Sequence, residues 1–210
     1  MTNGTRLVLD GCGDPFQAQS IDHVPALLEK SYALRYQVYC LDRKFLPAEN
    51  YVSGLEIDEF DRHAIHVGAI DARGELAGTA RAVTVSELGL PLFRHCTTFP
   101  HEMDRQPEYR CLVEVGRLAV SRTYRRRVDD HPSGGQIPSP SGGAARNGQV
   151  EKRRRQADVL VTVLKALYQA TKRIGATHWL AAMEPSLERL LARHGFPFRV
   201  LGPESDPRRR

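Results

Sequence analysis

A chain of 210 residues with 41% hydrophobic content is long enough for one domain with a real core. No apolar run reaches the roughly 20 residues of a membrane span, and Met1-Thr2-Asn3-Gly4-Thr5-Arg6 opens no secretory pattern, so we expect a cytoplasmic protein, with peripheral membrane contact left open. The net charge of +5 gathers at Arg125-Arg126-Arg127, Lys152-Arg153-Arg154-Arg155 and Arg208-Arg209-Arg210; such runs are solvated or suit an acidic partner, and without interleaved aromatics they argue against a specific nucleic-acid surface.

In chain order, residues 1–20 read as an N-terminal extension. Ile21 to Tyr39 reads as an amphipathic helix, because Val24, Leu27, Leu28, Tyr32, Leu34, Arg35 and Val38 recur near helical spacing and Asp22 stands where an N-cap would. From Leu41 to Ile57, Pro47, Asn50 and Gly54 interrupt any period, which suggests a mobile loop or short helix folding over a site. His63 to Ile70 and Leu76 to Val85 are strand-like, and Asp71-Ala72-Arg73-Gly74 turns them into a hairpin. Leu90 to Cys96 suits a short helix, Met103 to Glu108 a polar connector, and Cys111 to Val120 a third strand.

From Val128, residues Pro132, Gly134, Gly135, Pro138, Pro140, Gly142 and Gly143 come with almost no large apolar side chain, so a disordered insert is expected over about 128–155. Ala157 to Ile174 then carries a strong apolar helical face through Val159, Leu160, Val163, Leu164, Leu167 and Tyr168, and Gly175 closes it. Thr177 to Met183 reads as a fourth strand, Pro185 to Gly195 as a helix, and Phe198 to Leu201 as a last strand. The domain thus runs over residues 21–203, with a basic tail at 204–210. Helices alternating with strands imply a mixed sheet covered on both faces.

Charged residues mark candidate chemistry. Asp58 and Asp61 share one face of a helical turn, and Arg35, Arg81 and Arg117 can each fork to a carboxylate. Glu114 lies on a strand, where partial burial raises a carboxylate's pKa toward that of a useful base; an ion pair with Arg117 or Arg81 is the competing reading. Glu184, at the end of the next strand, is a reserve base or simply a helix start. His63, His66 and His178 read as hydrogen-bonded structural residues. Cys12, Cys40, Cys96 and Cys111 form no Cys-x-x-Cys pair, which argues against a metal site or disulfide framework, and Cys40 has no partner base to make it a nucleophile.

The order of elements is similar to the GNAT acyltransferase fold, an α/β (α+β) architecture with a mixed, mostly antiparallel central sheet. An arginine on the first helix, Asp58-Glu59-Phe60-Asp61, Gly78-Thr79-Ala80-Arg81 and Glu114-Val115-Gly116-Arg117-Leu118-Ala119-Val120 resemble motifs of the acyl-homoserine-lactone (autoinducer) synthases. Over Ser31 to about Pro203 the chain more closely resembles PEP-CTERM/exosortase-associated acyltransferases and long-chain N-acyl amino acid synthases. That resemblance rests on Tyr36-Gln37-Val38-Tyr39-Cys40, Phe45-Leu46-Pro47, Leu118-Ala119-Val120-Ser121 with Arg125-Arg126-Arg127, and the string from Trp179 to Leu187.

The resemblance implies transfer of a fatty acyl group from acyl carrier protein, or coenzyme A, to the amine of an amino acid or similar small acceptor. An acyl-phosphopantetheine thioester is then a co-substrate, and no tightly bound cofactor is expected. Arg35, Asp58, Asp61, Arg81, Glu114 and Arg117 match residues lining the cleft of the lactone synthases. Arg81 and Arg117 are expected to position Glu114 and the aspartates, and Arg35 to sit over the acceptor. Tyr39, Val115, Leu118, Val120 and Glu184 are expected to bind substrate, the strand backbone holding the thioester carbonyl while the acyl chain runs between the central strands and the helix from Ala157 to Ile174. Arg122, Arg125, Arg126 and Arg127 stand where GNAT enzymes place a Gly-rich phosphate turn, and are expected to meet a phosphopantetheine phosphate or the carrier. Gly116 stands where the relatives carry Ser, and Arg43-Lys44-Phe45-Leu46-Pro47 where lactone synthases carry a tryptophan-bearing loop; an amino acid is therefore expected rather than S-adenosylmethionine. A monomer is expected. The rival readings are a non-catalytic sensor of acyl carrier or lipid on the same fold, an autoinducer-type lactone synthase and, on charge alone, a nucleic-acid-binding module.

Overall fold

Strand alternation explains the layout of the sheet. Strands β1 (Phe16–Ser20), β2 (Ala64–Asp71), β3 (Leu76–Thr84), β4 (Leu112–Val120) and β5 (His178–Leu180) lie side by side in chain order. The first three junctions are antiparallel and β4–β5 is parallel. The computed structural model describes residues 15–99, 108–125 and 143–203. Val67 pairs with Ala80, and Ala82 with Val115. Successive side chains point to opposite sides of a sheet, so these residues make one face apolar. Their neighbours His66, Arg81 and Gly116, also in register, make the other face polar.

The helices are α1 (Pro25–Tyr36), α2 (Pro91–His95), α3 (Gly143–Arg173) and α4 (Pro185–Arg193). On α3, Val159, Val163, Ala166, Leu167 and Ala170 recur with helical period and join Phe16, Val67, Ala69, Ala80, Ala82, Val113 and Val115 in the main core. Leu160 and Leu164, on its adjacent stripe, pack against Leu187 and Leu191 of α4. Gly175 closes α3 with a φ of 81°, a left-handed conformation that glycine adopts without penalty. The polar face of the sheet meets α1, and the buried residues of that helix are Ser31 and Arg35. The expected apolar face of α1 is thus a polar one, because what it covers is polar. A second apolar cluster of Phe60, Val83, Leu90, Leu92, Leu112 and Leu180 anchors α2 and the 58–61 segment at one end of the sheet.

Several boundaries differ from the sequence expectations. Phe16–Ser20 is an edge strand within the expected extension; its pairing with β2 and the edge-on contact of Phe16 with Tyr124 supply what its short pattern lacks. Helix α1 starts at Pro25, whose ring presets φ for a first turn, and Val24 precedes it without a side-chain cap. Asp22, expected as that cap, instead accepts the backbone N–H of His66 and a hydrogen bond from Ser20. Helix α3 begins at Gly143, so residues 143–155 of the expected insert are helical; residues 128–142 and the 204–210 tail lie outside the described residues, as does most of the polar connector. A π-helical turn (Gln37–Asp42) takes over the end of the expected first helix and runs into the expected 41–57 loop, which also holds a 3-10 turn (Ala48–Asn50). Strand β5 is only three residues long, and no strand forms at 198–201, although the Leu201 carbonyl accepts the Phe99 N–H at 2.7 Å.

At Gly78, α3 packs directly onto the sheet. A Cβ there would lie 2.6 Å from Val159 Cγ1 and 3.2 Å from the Ala119 carbonyl oxygen. Val159 is fully buried and has nowhere to go. Gly78→Val is therefore expected to cost about 1–3 kcal/mol, read as a lowered urea midpoint with an unchanged slope.

Candidate active site

Arg81 is placed by β3 on the polar face and reaches the loop before β2. Its Nη1 donates to Asp58 Oδ1 at 2.6 Å and Asp61 Oδ1 at 2.7 Å, and its Nη2 to Asp58 Oδ2 at 2.6 Å. The two aspartates belong to one turn: the Asp61 N–H donates to the Asp58 carbonyl at 3.2 Å, and the Asp58 N–H to Asp61 Oδ2 at 2.8 Å. From α1, Arg35 forks onto Asp61 at 2.6 and 3.0 Å and donates from Nε to Glu56 at 2.5 Å. His66 closes the buried end, with Nε2 3.0 Å from Asp61 and Nδ1 2.8 Å from Asp22.

Arg117 enters this network through a β-bulge. Thr79 pairs with Ala119 and Arg81 with Gly116, so Arg117 and Leu118 together face Ala80 alone. Plain alternation from Val115 would send Arg117 to the α3 side. The extra residue returns it to the polar face, at the cost of a positive φ of 51°. Its Nε then donates to Glu56 Oε1 and its Nη2 to Asp58 Oδ2, both at 3.0 Å, while the guanidinium lies 5.6 Å from the centre of the Tyr39 ring. The Tyr39 hydroxyl donates to the Leu118 carbonyl at 3.1 Å, and burial pushes its pKa up.

Burial raises the pKa of a carboxylate, but hydrogen bonds from His66 and Arg35 and the surrounding arginines outweigh it at Asp61, which stays well below the usual range. Asp58 is lowered in the same way, with burial opposed chiefly by Arg81. For His66 burial acts downward and the bonds to Asp22 and Asp61 act upward more strongly, so the imidazolium is favoured.

Glu114 behaves differently. It shares the polar face of β4, two residues before Gly116, yet among the described residues no arginine donates to it. Its Oε2 accepts the Leu92 N–H at 2.5 Å, at the start of α2. Burial pushes its pKa up to about 7, against the opposing pull of the Leu92 amide, Arg81 and Arg117. Among the described residues a Cβ on Gly116 would meet nothing within 4 Å, so the polar face of β4 is open two residues along from Glu114. Strand β5 pairs with β4 only as far as Glu114, and β4 continues to Val120 without it.

Arg35, Asp58, Asp61, Arg81 and Arg117 thus converge as the sequence suggests, but three expected contacts differ. Arg35 is 1% exposed, with its fork committed to Asp61 and Glu56, and so does not overlie open space. Arg81 and Arg117 hold the acidic residues and not Glu114. Glu184 is exposed, and its backbone carbonyl receives the N–H groups of Leu187 and Glu188 at the start of α4. The side chains of Val115 and Val120 belong to the core, and Leu118 packs against it, leaving only their backbone for the polar side. The space between the sheet and α3, expected to take an acyl chain, is filled by that core. Arg122 and Arg125 both donate to Asp42; Arg126 and Arg127 lie outside the described residues. At Asp42 burial is overcome by Arg122, Arg125 and Gln37, which bring its pKa down to about 2.

Glu56 is the residue that sequence reasoning missed. It is fully buried within a segment that has no periodic pattern, drawn under α1 by a bond from its N–H to the Tyr32 carbonyl at 3.1 Å. The only trace in the sequence is an acidic side chain two places before Asp58. Among the described residues no His, Cys, Asp or Glu cluster has the arrangement of a metal site, and no helix is long and apolar enough to cross a membrane.

Residues 34–129 match the family model described as an acetyltransferase (GNAT) domain. Several solved structures resemble the chain. The AHL synthase LasI is 17% identical with a TM-score of 0.55, over 87% of this chain and 79% of that one. The CoA-dependent acyl-homoserine lactone synthase BjaI, with SAM and isopentyl-CoA, is 18% identical with a TM-score of 0.59, over 92% and 78%. TofI, in a ternary complex with an inhibitor and MTA, is 21% identical with a TM-score of 0.51, over 85% and 77%. At such identities the likeness is one of fold, and the fold is GNAT-like. No curated protein matches the chain.

Breaking one partner out of a buried ion network leaves charges uncompensated. Asp61→Asn is expected to cost about 3–5 kcal/mol at neutral pH. Because the Asp58 and Asp61 pKa values are lowered on folding, their contribution is complete above the ordinary carboxylate range and is lost as pH falls through the lowered values. The penalty should therefore shrink from pH about 7 to pH about 3, as measured by urea unfolding of both proteins at each pH.

Proposed function

We propose that the protein is an acyltransferase that moves a fatty acyl group from the thioester of an acyl carrier protein, or of coenzyme A, to the amine of an amino acid or a similar small acceptor. The observation that carries this reading is Glu114: a half-buried carboxylate on β4 to which no arginine donates among the described residues, with a pKa of about 7 and open space at Gly116, two residues along the strand. An ammonium must lose a proton before it can attack, and a carboxylate in hydrogen-bond reach, directly or through one water, removes it.

The neutral amine then adds to the thioester carbonyl held against β4, where backbone N–H groups stabilise the oxyanion. The amide bond forms as the carbon–sulfur bond breaks; of the two protons the nitrogen gives up, the ammonium's passes from Glu114 to solvent, and the second, released as the adduct collapses, passes through Glu114 to the departing thiolate. No side-chain nucleophile is needed, and the buried Cys40 takes no part. Arg122 and Arg125, with Arg126 and Arg127, would receive the phosphate of phosphopantetheine or the acidic surface of a carrier. The resemblance to long-chain N-acyl amino acid synthases and exosortase-associated acyltransferases favours an amino acid acceptor.

The fold shared with BjaI, whose structure holds SAM and isopentyl-CoA, supports a second reading as a lactone synthase. Thiol release from long-chain acyl carrier protein, measured over a panel of amino acids and S-adenosylmethionine, separates the two. Release with no acceptor above background would overturn both for that donor and leave the sensor reading.

Glu114→Gln keeps an acceptor for the Leu92 amide but cannot take a proton. It is expected to lower kcat by about 10²–10⁴-fold while leaving donor binding intact. The wild-type rate should rise with pH through about 7, the pKa of Glu114. A carboxylate whose pKa is raised on folding loses stability as pH climbs from its ordinary value through its raised one, so the same variant should be more stable than the wild type at pH about 8, by about 1–3 kcal/mol. Thermal unfolding alongside the kinetics checks both halves.

A further inference from the structure

Two cations, Arg81 and Arg117, share a face of the sheet with Glu114 and act on its charge, yet neither is bonded to it. Arg81 cannot turn: each of its terminal nitrogens is held at 2.6 Å by Asp58, and Asp61 holds one of them as well. Arg117 is less confined. It stands on a bulge, its side chain is 27% exposed, and on the polar face Gly116 stands between it and Glu114, where a Cβ would meet nothing within 4 Å among the described residues. Two acidic residues restrain it, and of these Glu56 is the fully buried one, pinned at its other oxygen by Arg35. Released from Glu56, the Arg117 guanidinium has room to swing over Gly116 toward Glu114.

We propose that Glu56 is a positioning residue, which holds the Arg117 guanidinium against itself and Asp58 and so keeps that cation off Glu114. The inference rests on the reading of Glu114 as the base. An arginine in direct contact would hold Glu114 ionised but make it a far weaker proton acceptor. Among the described residues, the remaining charges around Glu114 do not offer a substitute. Asp58, from the segment before β2, is committed to Arg81 and Arg117; α2 contributes the Leu92 amide, and its Arg94 donates to Glu59. On β5, His178 is exposed beside Leu112 and not beside Glu114. The acidic residues of this site thus act on the base indirectly, by occupying the arginines that would otherwise quench it.

The test is the titration of Glu114 followed by carboxyl-carbon NMR on protein labelled at glutamate, with Glu114→Gln assigning the signal. Glu56→Gln should move that titration down by about one to two pH units, and the acid limb of kcat/KM should move with it, with kcat lowered and donor KM little changed. In Glu56→Gln/Arg117→Gln the titration should return toward its wild-type position, because the freed cation is gone. Arg117→Gln alone leaves Glu56 paired with Arg35 and avoids disturbing a fully buried group, so it serves even where Glu56→Gln does not fold; it should leave the Glu114 titration within about half a pH unit of the wild type. An unmoved titration in Glu56→Gln, or a large upward move in Arg117→Gln, overturns the proposal. A shifted titration in Glu56→Gln whose pH–rate profile stays in place upholds the role of Glu56 and removes Glu114 from the chemistry.

Discussion

A sheet with one charged face has to solve an electrostatic problem before it can fold, and the exchange of hydrogen bonds among Arg35, Arg81 and Arg117 and the carboxylates of Glu56, Asp58 and Asp61 is how this chain solves it. Buried guanidiniums and carboxylates cost several kcal/mol each unless every charge is paired and every N–H satisfied. Here each arginine contacts two of the carboxylates, and each carboxylate is shared by at least two arginines. His66 carries the network through to Asp22, at the entry to α1. The network therefore does what an apolar core does on the other face. It seats α1, ties down the 56–61 segment and holds the bulge at Arg117, whose positive φ persists because the surrounding bonds overdetermine it.

Glu114 stands at the boundary of that network without entering it. Its neighbours include apolar residues of the second core cluster, and among the described residues a single backbone amide is its direct donor. Burial with so little compensation is unfavourable for an ionised group, which raises the pKa into the range where a carboxylate accepts a proton and releases it again. The two faces of the sheet divide the work between them: α3 and the apolar face carry stability, while the charged face tolerates one poorly compensated carboxylate at the point where β5 leaves β4. A locally unfavourable group of this kind is a common signature of a site selected for chemistry rather than for packing.

The π-helical turn after α1 couples the charged face to the opposite end of β4. Tyr39 on this turn reaches the Leu118 carbonyl, and Asp42 at its end receives Arg122 and Arg125 from the turn that follows the strand. The bulge at Leu118 and the turn after β4 are thereby both held to one short segment.

Local pattern was enough to read much of this from the residues in order. The hairpin, the third strand, the apolar stripe of the long helix with Gly175 at its end, and the helix opened by Pro185 follow from periods of 2 and 3.6 and from turn chemistry. The convergence of Arg35, Asp58, Asp61, Arg81 and Arg117 was legible through motif resemblance. Tertiary structure decided what depends on partners distant in the chain. It made a strand of Phe16–Ser20 through pairing with β2, and extended α3 back to Gly143 where composition suggested disorder. It buried Glu56, which no period marks, and turned Arg117 through a bulge that alternation does not foresee. It paired the arginines with the acid box and left Glu114 to the Leu92 amide. The physical reason is range: propensity and periodicity are properties of neighbouring residues, whereas the pairing of buried charges is settled only when segments far apart in the chain are brought within about 3 Å of one another.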